Sequence, residues 1–197
     1  MESSDKVEQR EVLTGGRVKG AIVRTHILWV RRYRGESGEE RLQQALPADL
    51  RKELESIIPS DWYPFETLIR LDRLIIELFG NGTPDLSREL GRYSAHLNLS
   101  VPFRSYRREE IGAFFRESAA LHSEFQDFGT VECLEQGERK VSMVHRGYAC
   151  FSPLFCASGL GYYEQAIVEH RSRPVRLEET SCQCRGDSTC TFEIEWE

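Results

Sequence analysis

The sequence predicts an α+β domain in which a helical N-terminal half packs on a four-stranded antiparallel sheet. Two observations lead to this class. Apolar residues recur at helical spacing, between proline and glycine residues, from residue 18 to residue 125. After Gly129, apolar and polar residues alternate in four short runs, and one helical segment separates the second run from the third.

Proline and glycine residues mark most boundaries between six helical segments. The first segment ends at Gly35, the third lies between Pro47 and Pro59, and the fourth runs from Pro64 to Gly80. In chain order the segments are AIVRTHILWVRRY, GEERLQQAL, ADLRKELESII, FETLIRLDRLIIELF, LSRELGRYSAHLNL and REEIGAFFRESAALHSEF, the last running from Arg108 to Phe125.

The strands follow in two pairs. The run TVECLEQGERKVSMVHR alternates on both sides of Gln136 and Gly137, which is typical of an antiparallel hairpin. The helix between the pairs is FSPLFCASGLGYYEQAIVEH, with Pro153 near its start. RPVRLEET and CTFEIEW form the second pair, joined across SCQCRGDST.

The first 17 residues are polar and lack the apolar centre of a secretory signal. They are predicted to form a disordered tail, 1–17, before a single domain, 18–197. No apolar run approaches the roughly 18 residues of a transmembrane helix. We therefore expect a cytoplasmic protein, in a compartment that keeps thiols reduced.

The charge pattern argues against a general nucleic-acid-binding protein. The net charge is −6, whereas phosphate binding requires a clustered excess of Lys and Arg. The basic stretches at 31–34 and 104–109 are interrupted by aromatic or acidic residues, which is typical of solvated helix faces.

Two cysteines and a glutamate are predicted to point toward the core. Strand alternation places Glu179 on the face of Val175 and Leu177, and it places Cys190 on the apolar face of the last strand. Cys156 lies on the apolar stripe of the preceding helix. A carboxylate buried without a partner is costly, so a cation beside the thiolates is indicated.

The spacing adds a fourth ligand. Cys182 follows Glu179 by three residues and precedes Cys190 by eight, across a turn that contains Gly186. Together with Cys156 these residues form a Cys3Glu set, whose number and softness suit tetrahedral zinc. The residues predict a structural zinc site at Cys156, Glu179, Cys182 and Cys190.

Three alternatives remain open for the cysteines. They are packing thiols, a disulfide such as that between Cys182 and Cys190, or a ligand set in which Cys184 replaces Cys182 or Glu179. Cys184 is expected to point to solvent as an additional, redox-sensitive thiol. Cys133 and Cys150 are expected to have no role.

The pattern E-x-x-C-x7-C-x-F, with a cysteine 23 positions before the glutamate, resembles the 4-vinyl reductase domain and the sensory domains of phenol-responsive transcription activators. The resemblance covers 129–197. It implies that a structural zinc is held by Cys156, Glu179, Cys182 and Cys190, and that a small aromatic ligand lies between helices and sheet. Nothing in the sequence transfers a reductase activity, because no nicotinamide or flavin motif is present.

The helical half is similar to a mostly myxobacterial family through GAIVRTHILWVRRYRGESGEERL and SDWYPFE. That family is often labelled as similar to haem–nitric-oxide-binding domains, in a superfamily that includes subunits of a Golgi vesicle-tethering complex. The superfamily fold, helices around a four-stranded antiparallel sheet, agrees with the predicted order of elements. RYSAH at 92–96 is not the propionate-binding Y-x-S-x-R motif, so haem is not expected.

The candidate ligand pocket is formed by aromatic and histidine side chains that are equally suited to a core. They are Phe114, Phe115, His122, Phe125, His145 and Tyr163. No nucleophile, metalloprotease or phosphate-loop motif is present, so no catalytic residue is assigned.

These features predict a zinc-containing, small-molecule-binding sensor or signalling module without catalytic activity. Its expected ligand is small and hydrophobic or aromatic, and its expected output is a homodimer or a signalling partner protein. The alternatives are a structural protein–protein interaction module of the same fold and a cysteine redox sensor.

Overall fold

The computed structural model describes residues 9–81, 83, 85–100 and 111–197, which form seven α-helices and two antiparallel sheets. The helices are α1 (Gly20–Ala45), α2 (Ala48–Leu54), α3 (Phe65–Phe79), α4 (Asp85–Ser100), α5 (Ile111–Ala120), α6 (His122–Phe125) and α7 (Pro153–Glu169). The strands are β1 (Arg17–Lys19), β2 (Trp62–Pro64), β3 (Thr130–Gly137), β4 (Lys140–Arg146), β5 (Pro174–Ser181) and β6 (Thr189–Trp196). The predicted α+β class is confirmed.

The larger sheet has the strand order β3-β4-β6-β5, and all of its neighbouring strands are antiparallel. The predicted alternation of β6 is confirmed, because Cys190, Phe192, Ile194 and Trp196 are buried. The expectation that Val175 faces the core is wrong, since its side chain is 53% exposed. The register of β5 against β6 shifts between Pro174 and Arg176, which moves Val175 off the inner face.

Most helix boundaries lie where the prolines and glycines predict them. Helix α3 begins directly after Pro64 and ends before Gly80. Helix α1 continues past the predicted end at Gly35, but it is kinked there because Gly35 has a φ of 68°. The helix predicted from residue 108 to residue 125 is divided at Leu121 into α5 and α6, and its first three residues lie outside the described residues.

The sequence did not predict the small sheet formed by β1 and β2. The chain before it is hydrogen-bonded to the domain: Val12 forms an isolated bridge with Phe151, and the Arg10 amide donates to the Cys184 carbonyl over 2.8 Å. Within the described part of the predicted tail, Arg10 is therefore bonded to the turn before β6 and Val12 to the segment before α7. Residues 1–8 lie outside the described residues.

Two hydrophobic clusters divide the interior. One lies among α1, α2, α3 and the start of α4, and the other lies between α4, α5, α7 and the larger sheet. Helices α4 and α7 approach closely at two glycines. A Cβ atom would lie 1.8 Å from the Ser158 carbonyl oxygen at Gly91 and 1.9 Å from the Arg88 carbonyl oxygen at Gly161. This close crossing fixes α7, which carries residues of both sites described below.

Among the residues that the structure describes, no helix has the length and apolarity that a membrane span requires.

Candidate functional site

Four side chains converge where α7 meets the ends of β5 and β6. Cys156 lies in the first turn of α7, Glu179 lies near the end of β5, Cys182 follows that strand, and Cys190 lies near the start of β6. Their ligand atoms all lie within 4.8 Å of one another. We call these four residues the thiol–carboxylate cluster. The structure thus brings together the four residues of the predicted metal site.

The sulfur geometry of the cluster is close to that of a metal site. The Sγ atom of Cys156 lies 3.7 Å from that of Cys182 and 3.9 Å from that of Cys190, and the last two are also 3.9 Å apart. A tetrahedral ion bonded to sulfur at about 2.3 Å holds its sulfurs about 3.8 Å apart. The Oε1 atom of Glu179 is buried and has no hydrogen-bond partner. The donor set therefore fits one thiolate-bound metal ion.

A turn around Gly186 orients the cluster. Its φ of 97° is left-handed, so the chain reverses tightly there. The Cys182 amide donates to Asp187 Oδ2 over 2.7 Å, and the Gln183 amide donates to Cys190 Sγ over 3.3 Å. Arg185 Nη1 donates to Glu179 Oε2 over 3.0 Å. This last bond occupies Oε2 and leaves Oε1 as the carboxylate atom without a partner.

Burial and mutual hydrogen bonding separate the pKa values within the cluster. Hydrogen bonds from Cys156, and then from Cys184 and Cys190, hold the pKa of Cys182 well below its usual range. The hydrogen bond to Cys182 raises the pKa of Cys156. Burial raises the pKa of Glu179 to about 7.

The remaining cysteines differ from the expectations in one respect. Cys184 was expected to point to solvent, but it is 1% exposed. That expectation is wrong, because a short 3-10 turn at Gln183–Arg185 directs the side chain into the hydrophobic cluster beside the larger sheet. Cys150 is buried and Cys133 is partly buried. All six cysteines are free, so the alternative disulfide between Cys182 and Cys190 is not formed in this structure.

A cavity of about 590 Å³ lies between the helices and the larger sheet. Its volume is within the range of small-molecule sites. Of the six predicted pocket residues, Phe115 is fully buried in the core and does not line the cavity. The other five lie on its wall: Phe114, His122, Phe125, His145 and Tyr163. Cys156 and Cys190 line the same cavity, so the thiol–carboxylate cluster adjoins it.

Two of the wall histidines are hydrogen-bonded to tyrosines. His122 Nε2 lies 2.6 Å from the Tyr148 hydroxyl oxygen, and His145 Nε2 lies 2.8 Å from that of Tyr163. Burial lowers the pKa of His145 to about 3 and also lowers the pKa of His122. Both imidazoles are therefore neutral near pH 7.

Sequence reasoning missed a third histidine on the wall. His26 lines the cavity, and its Nδ1 atom lies 2.6 Å from Asp72 Oδ1. The two side chains are 1% and 0% exposed. His26 Nε2 has no hydrogen-bond partner. A signal was present, because Asp72 lies on the apolar stripe of α3 between Leu68 and Ile75, where an acidic residue needs a partner.

No family model matches the sequence, and no curated protein matches it. Solved structures of H-NOX proteins share its fold. The Fe(II) unliganded H-NOX protein from K. algicida has a TM-score of 0.67 and 14% identity, with 91% of this chain and 96% of that chain covered. The S. oneidensis protein in the Fe(II)NO state has a TM-score of 0.67 and 12% identity, with 91% and 99% covered. An oxygen-binding H-NOX domain related to soluble guanylate cyclases has a TM-score of 0.64 and 18% identity, with 91% and 95% covered. At these identities the likeness establishes the fold.

The comparisons contradict zinc as the cofactor. The H-NOX structures are described as an unliganded Fe(II) protein, as an Fe(II)NO state and as an oxygen complex, and one of them concerns the distortion of haem. The prediction was wrong because the spacing of Cys and Glu residues indicates a soft ligand set, and several transition metals accept such a set. The predicted fold of the haem–nitric-oxide-binding superfamily is confirmed by these structures, whereas the 4-vinyl reductase relationship stays a prediction.

The described wall of the cavity does not fit a haem group. Haem has two propionate carboxylates, which require cations or several hydrogen-bond donors. Among the described residues, no Lys or Arg side chain lines the cavity, whereas Glu117 and Glu124 do. The Nε2 atoms of His122 and His145, two candidates for an iron ligand, lie within hydrogen-bond distance of tyrosine hydroxyls.

Proposed function

We propose that this chain is a small-molecule-binding sensor or signalling module without catalytic activity, and that its ligand binds in the cavity between the helices and the larger sheet. The cavity itself carries the proposal. Protein interiors are close-packed, and cavities of this size are uncommon outside binding sites. Its volume is about 590 Å³, and apolar atoms dominate its walls.

The position of the cavity suits a sensor. Its wall includes residues of α1, α4, α5, α6, α7 and three strands, so a ligand would touch most of the domain. Cys156 and Cys190 belong both to this wall and to the thiol–carboxylate cluster. A ligand that shifts α7 would therefore change the cluster as well. The output would pass to a partner protein or to a second copy of the chain.

Structures of the same fold support a ligand-binding role. The S. oneidensis H-NOX protein is described in an NO-ligated state, and another H-NOX domain is described as an oxygen complex. The fold thus accommodates small ligands in other proteins. Because a fold does not determine a function, the cavity of this chain remains the argument.

We further propose that Cys156, Glu179, Cys182 and Cys190 bind one metal ion that stabilises the end of the sheet. The support is the convergence of four ligand atoms within 4.8 Å and the unpaired Oε1 of Glu179. Three thiolates favour a soft transition metal. A complete set of four protein ligands leaves no position for substrate, so the ion would be structural.

The test of ligand binding fills the cavity with a side chain. Gly159 lines the cavity, and a Cβ atom there would meet only Phe192 Cζ at 4.0 Å. Gly159→Leu should project into the cavity, and it replaces a glycine that is unfavourable in a helix. Gly112→Leu is the control, because Gly112 lies on α5 and does not line the cavity.

Toluene is the probe, since apolar protein cavities bind such molecules. Binding is followed by chemical-shift changes of the cavity-wall methyl groups. We expect saturable binding to the wild type and to Gly112→Leu, and at least a tenfold loss with Gly159→Leu. If the wild type does not bind toluene, or if Gly159→Leu binds it equally well, the proposal fails and an interaction module with a filled interior is favoured.

A further inference from the structure

The buried pair formed by His26 and Asp72 has no part in the two proposals above, although His26 lines the cavity. Both side chains are almost fully buried, and Nε2 of His26 and Oδ2 of Asp72 have no partner. A buried polar atom left unpaired costs about 1–3 kcal/mol. Such an atom beside a cavity indicates that something in the cavity pairs with it.

The geometry identifies the atom that is available. Asp72 Oδ1 accepts a hydrogen bond from His26 Nδ1, which fixes the orientation of the ring and places the proton on Nδ1. His26 lines the cavity and Asp72 does not. The ring edge that carries Nε2 lies away from Asp72, so Nε2 is the ring nitrogen that remains for a partner.

The protonation chemistry of His26 restricts the partner. With Nδ1 protonated, Nε2 accepts a hydrogen bond in a neutral imidazole and donates one in an imidazolium. A hydroxyl group can donate and accept, so it satisfies His26 in either state. A carbonyl oxygen only accepts, so it pairs with the imidazolium alone. An ammonium group only donates, so it pairs with the neutral imidazole alone.

The charges on the described wall of the cavity disfavour anions. Glu117 and Glu124 line it, Asp72 lies directly behind His26, and no Lys or Arg among the described residues is part of the wall. A carboxylate ligand would be desolvated beside three acidic groups. The rest of the wall is largely apolar, so most of the ligand surface must be apolar as well.

We propose that the cavity binds a neutral, mainly apolar molecule with a hydroxyl group, and that His26, held by Asp72, binds that hydroxyl through Nε2. This inference rests on the proposed ligand-binding function and names the chemical class of the ligand. His26 is thus a specificity-determining residue of the cavity.

Three probes of one ring size test the inference: toluene, benzyl alcohol and benzoate. Their affinities are measured by NMR titration of wild type, His26→Phe and a control, His96→Phe, whose side chain is 51% exposed. We expect His26→Phe to weaken benzyl alcohol binding by about threefold to tenfold, the usual effect of one hydrogen bond. Toluene binding should not weaken, and the control should bind both probes as the wild type does. Benzoate should bind least to every variant.

A second measurement does not require the variant to fold. In the wild type, the ¹⁵N resonance of His26 Nε2 should shift with benzyl alcohol and stay unchanged with toluene. If toluene binds but His26 affects neither the affinity nor the resonance for benzyl alcohol, the inference is wrong and the proposed function stands. If no probe binds, both this inference and the proposed ligand-binding function fail. Stoichiometric haem binding with a spectrum that depends on His26 would also overturn the inference, because haem is anionic.

Discussion

The thiol–carboxylate cluster and the His26 wall of the cavity each contain a buried polar atom without a partner, Glu179 Oε1 in one and His26 Nε2 in the other. Their surroundings differ. Glu179 faces three sulfur atoms at the ends of β5, β6 and α7. His26 faces a largely apolar cavity and is backed by Asp72.

The difference determines which partner each atom takes. A carboxylate among thiolates accumulates negative charge, so a cation stabilises the group. An imidazole on an apolar wall, already paired with a carboxylate, requires a partner that adds no charge. The free-energy cost of a buried polar atom without a partner thus predicts a metal ion in the thiol–carboxylate cluster and a neutral molecule in the cavity.

The largest expected effect comes from removing a cluster thiol. Cys182→Ser should lose the bound metal and lower the free energy of unfolding by about 3–5 kcal/mol, because the remaining buried ligands then lose the positive charge of the ion that holds them together. Elemental analysis of transition metals and urea unfolding measure the two effects. Cys133→Ser is the control, since Cys133 lies outside the cluster. Equal metal content in both variants would contradict the metal proposal and leave the cavity proposal intact.

A smaller effect is expected where α7 is held against α4, because α7 contributes to both sites. Gly161→Ala places a Cβ atom 1.9 Å from the Arg88 carbonyl oxygen, which is backbone and cannot rotate away. We expect a loss of about 2–3 kcal/mol, by the overpacking mechanism. Gly112→Ala is the control, since its nearest neighbour is a flexible Arg116 atom at 3.7 Å. Unchanged unfolding of Gly161→Ala would show that the helices separate at little cost.

Breaking the pair behind the cavity tests the other side of the comparison. Asp72→Ala removes the acceptor of the His26 Nδ1 proton and should destabilise the fold by about 1–3 kcal/mol. It should also weaken benzyl alcohol binding, because the ring is no longer oriented. Asp72→Asn keeps a hydrogen-bond acceptor for His26, so it should retain most of the stability and most of the affinity for benzyl alcohol. If the two variants have the same stability and affinity, the hydrogen bond to His26 does not position the ring.

The smallest effect is the contribution of the wall histidines to pH dependence. Burial lowers the pKa of His122 below its ordinary value of 6.5. The unfolded chain therefore binds more protons than the folded chain below that pH, and the free energy of unfolding decreases as the pH falls. His145, with a pKa of about 3, contributes in the same direction.

The slope of the free energy of unfolding against pH is at most about 1.4 kcal/mol per pH unit for each histidine. His122→Gln should reduce this slope below pH 6.5. Urea unfolding from pH 7.5 to pH 4.5 measures the difference. A slope unchanged in His122→Gln would mean that this imidazole is protonated in the folded cavity.

The two sites also differ in how far the sequence predicts them. The four cluster residues lie between positions 156 and 190, and strand and helix periodicity orient three of them correctly. The sequence could not identify the metal, because ligand softness is shared by several ions. It also misplaced Cys184 and Val175, since a 3-10 turn and a register shift depend on hydrogen bonds that a two-residue alternation does not encode.

By itself, the amino-acid sequence determined the α+β class, the positions of most helices and strands, and the grouping of three thiols with one carboxylate. These follow from periodicity and from Pro and Gly boundaries, which act over a few residues. Only the tertiary structure decided the cavity, the exclusion of Phe115 from its wall, and the pairing of His26 with Asp72. A cavity is the space left by elements distant in the chain, and a pair 46 residues apart forms only when two helices pack.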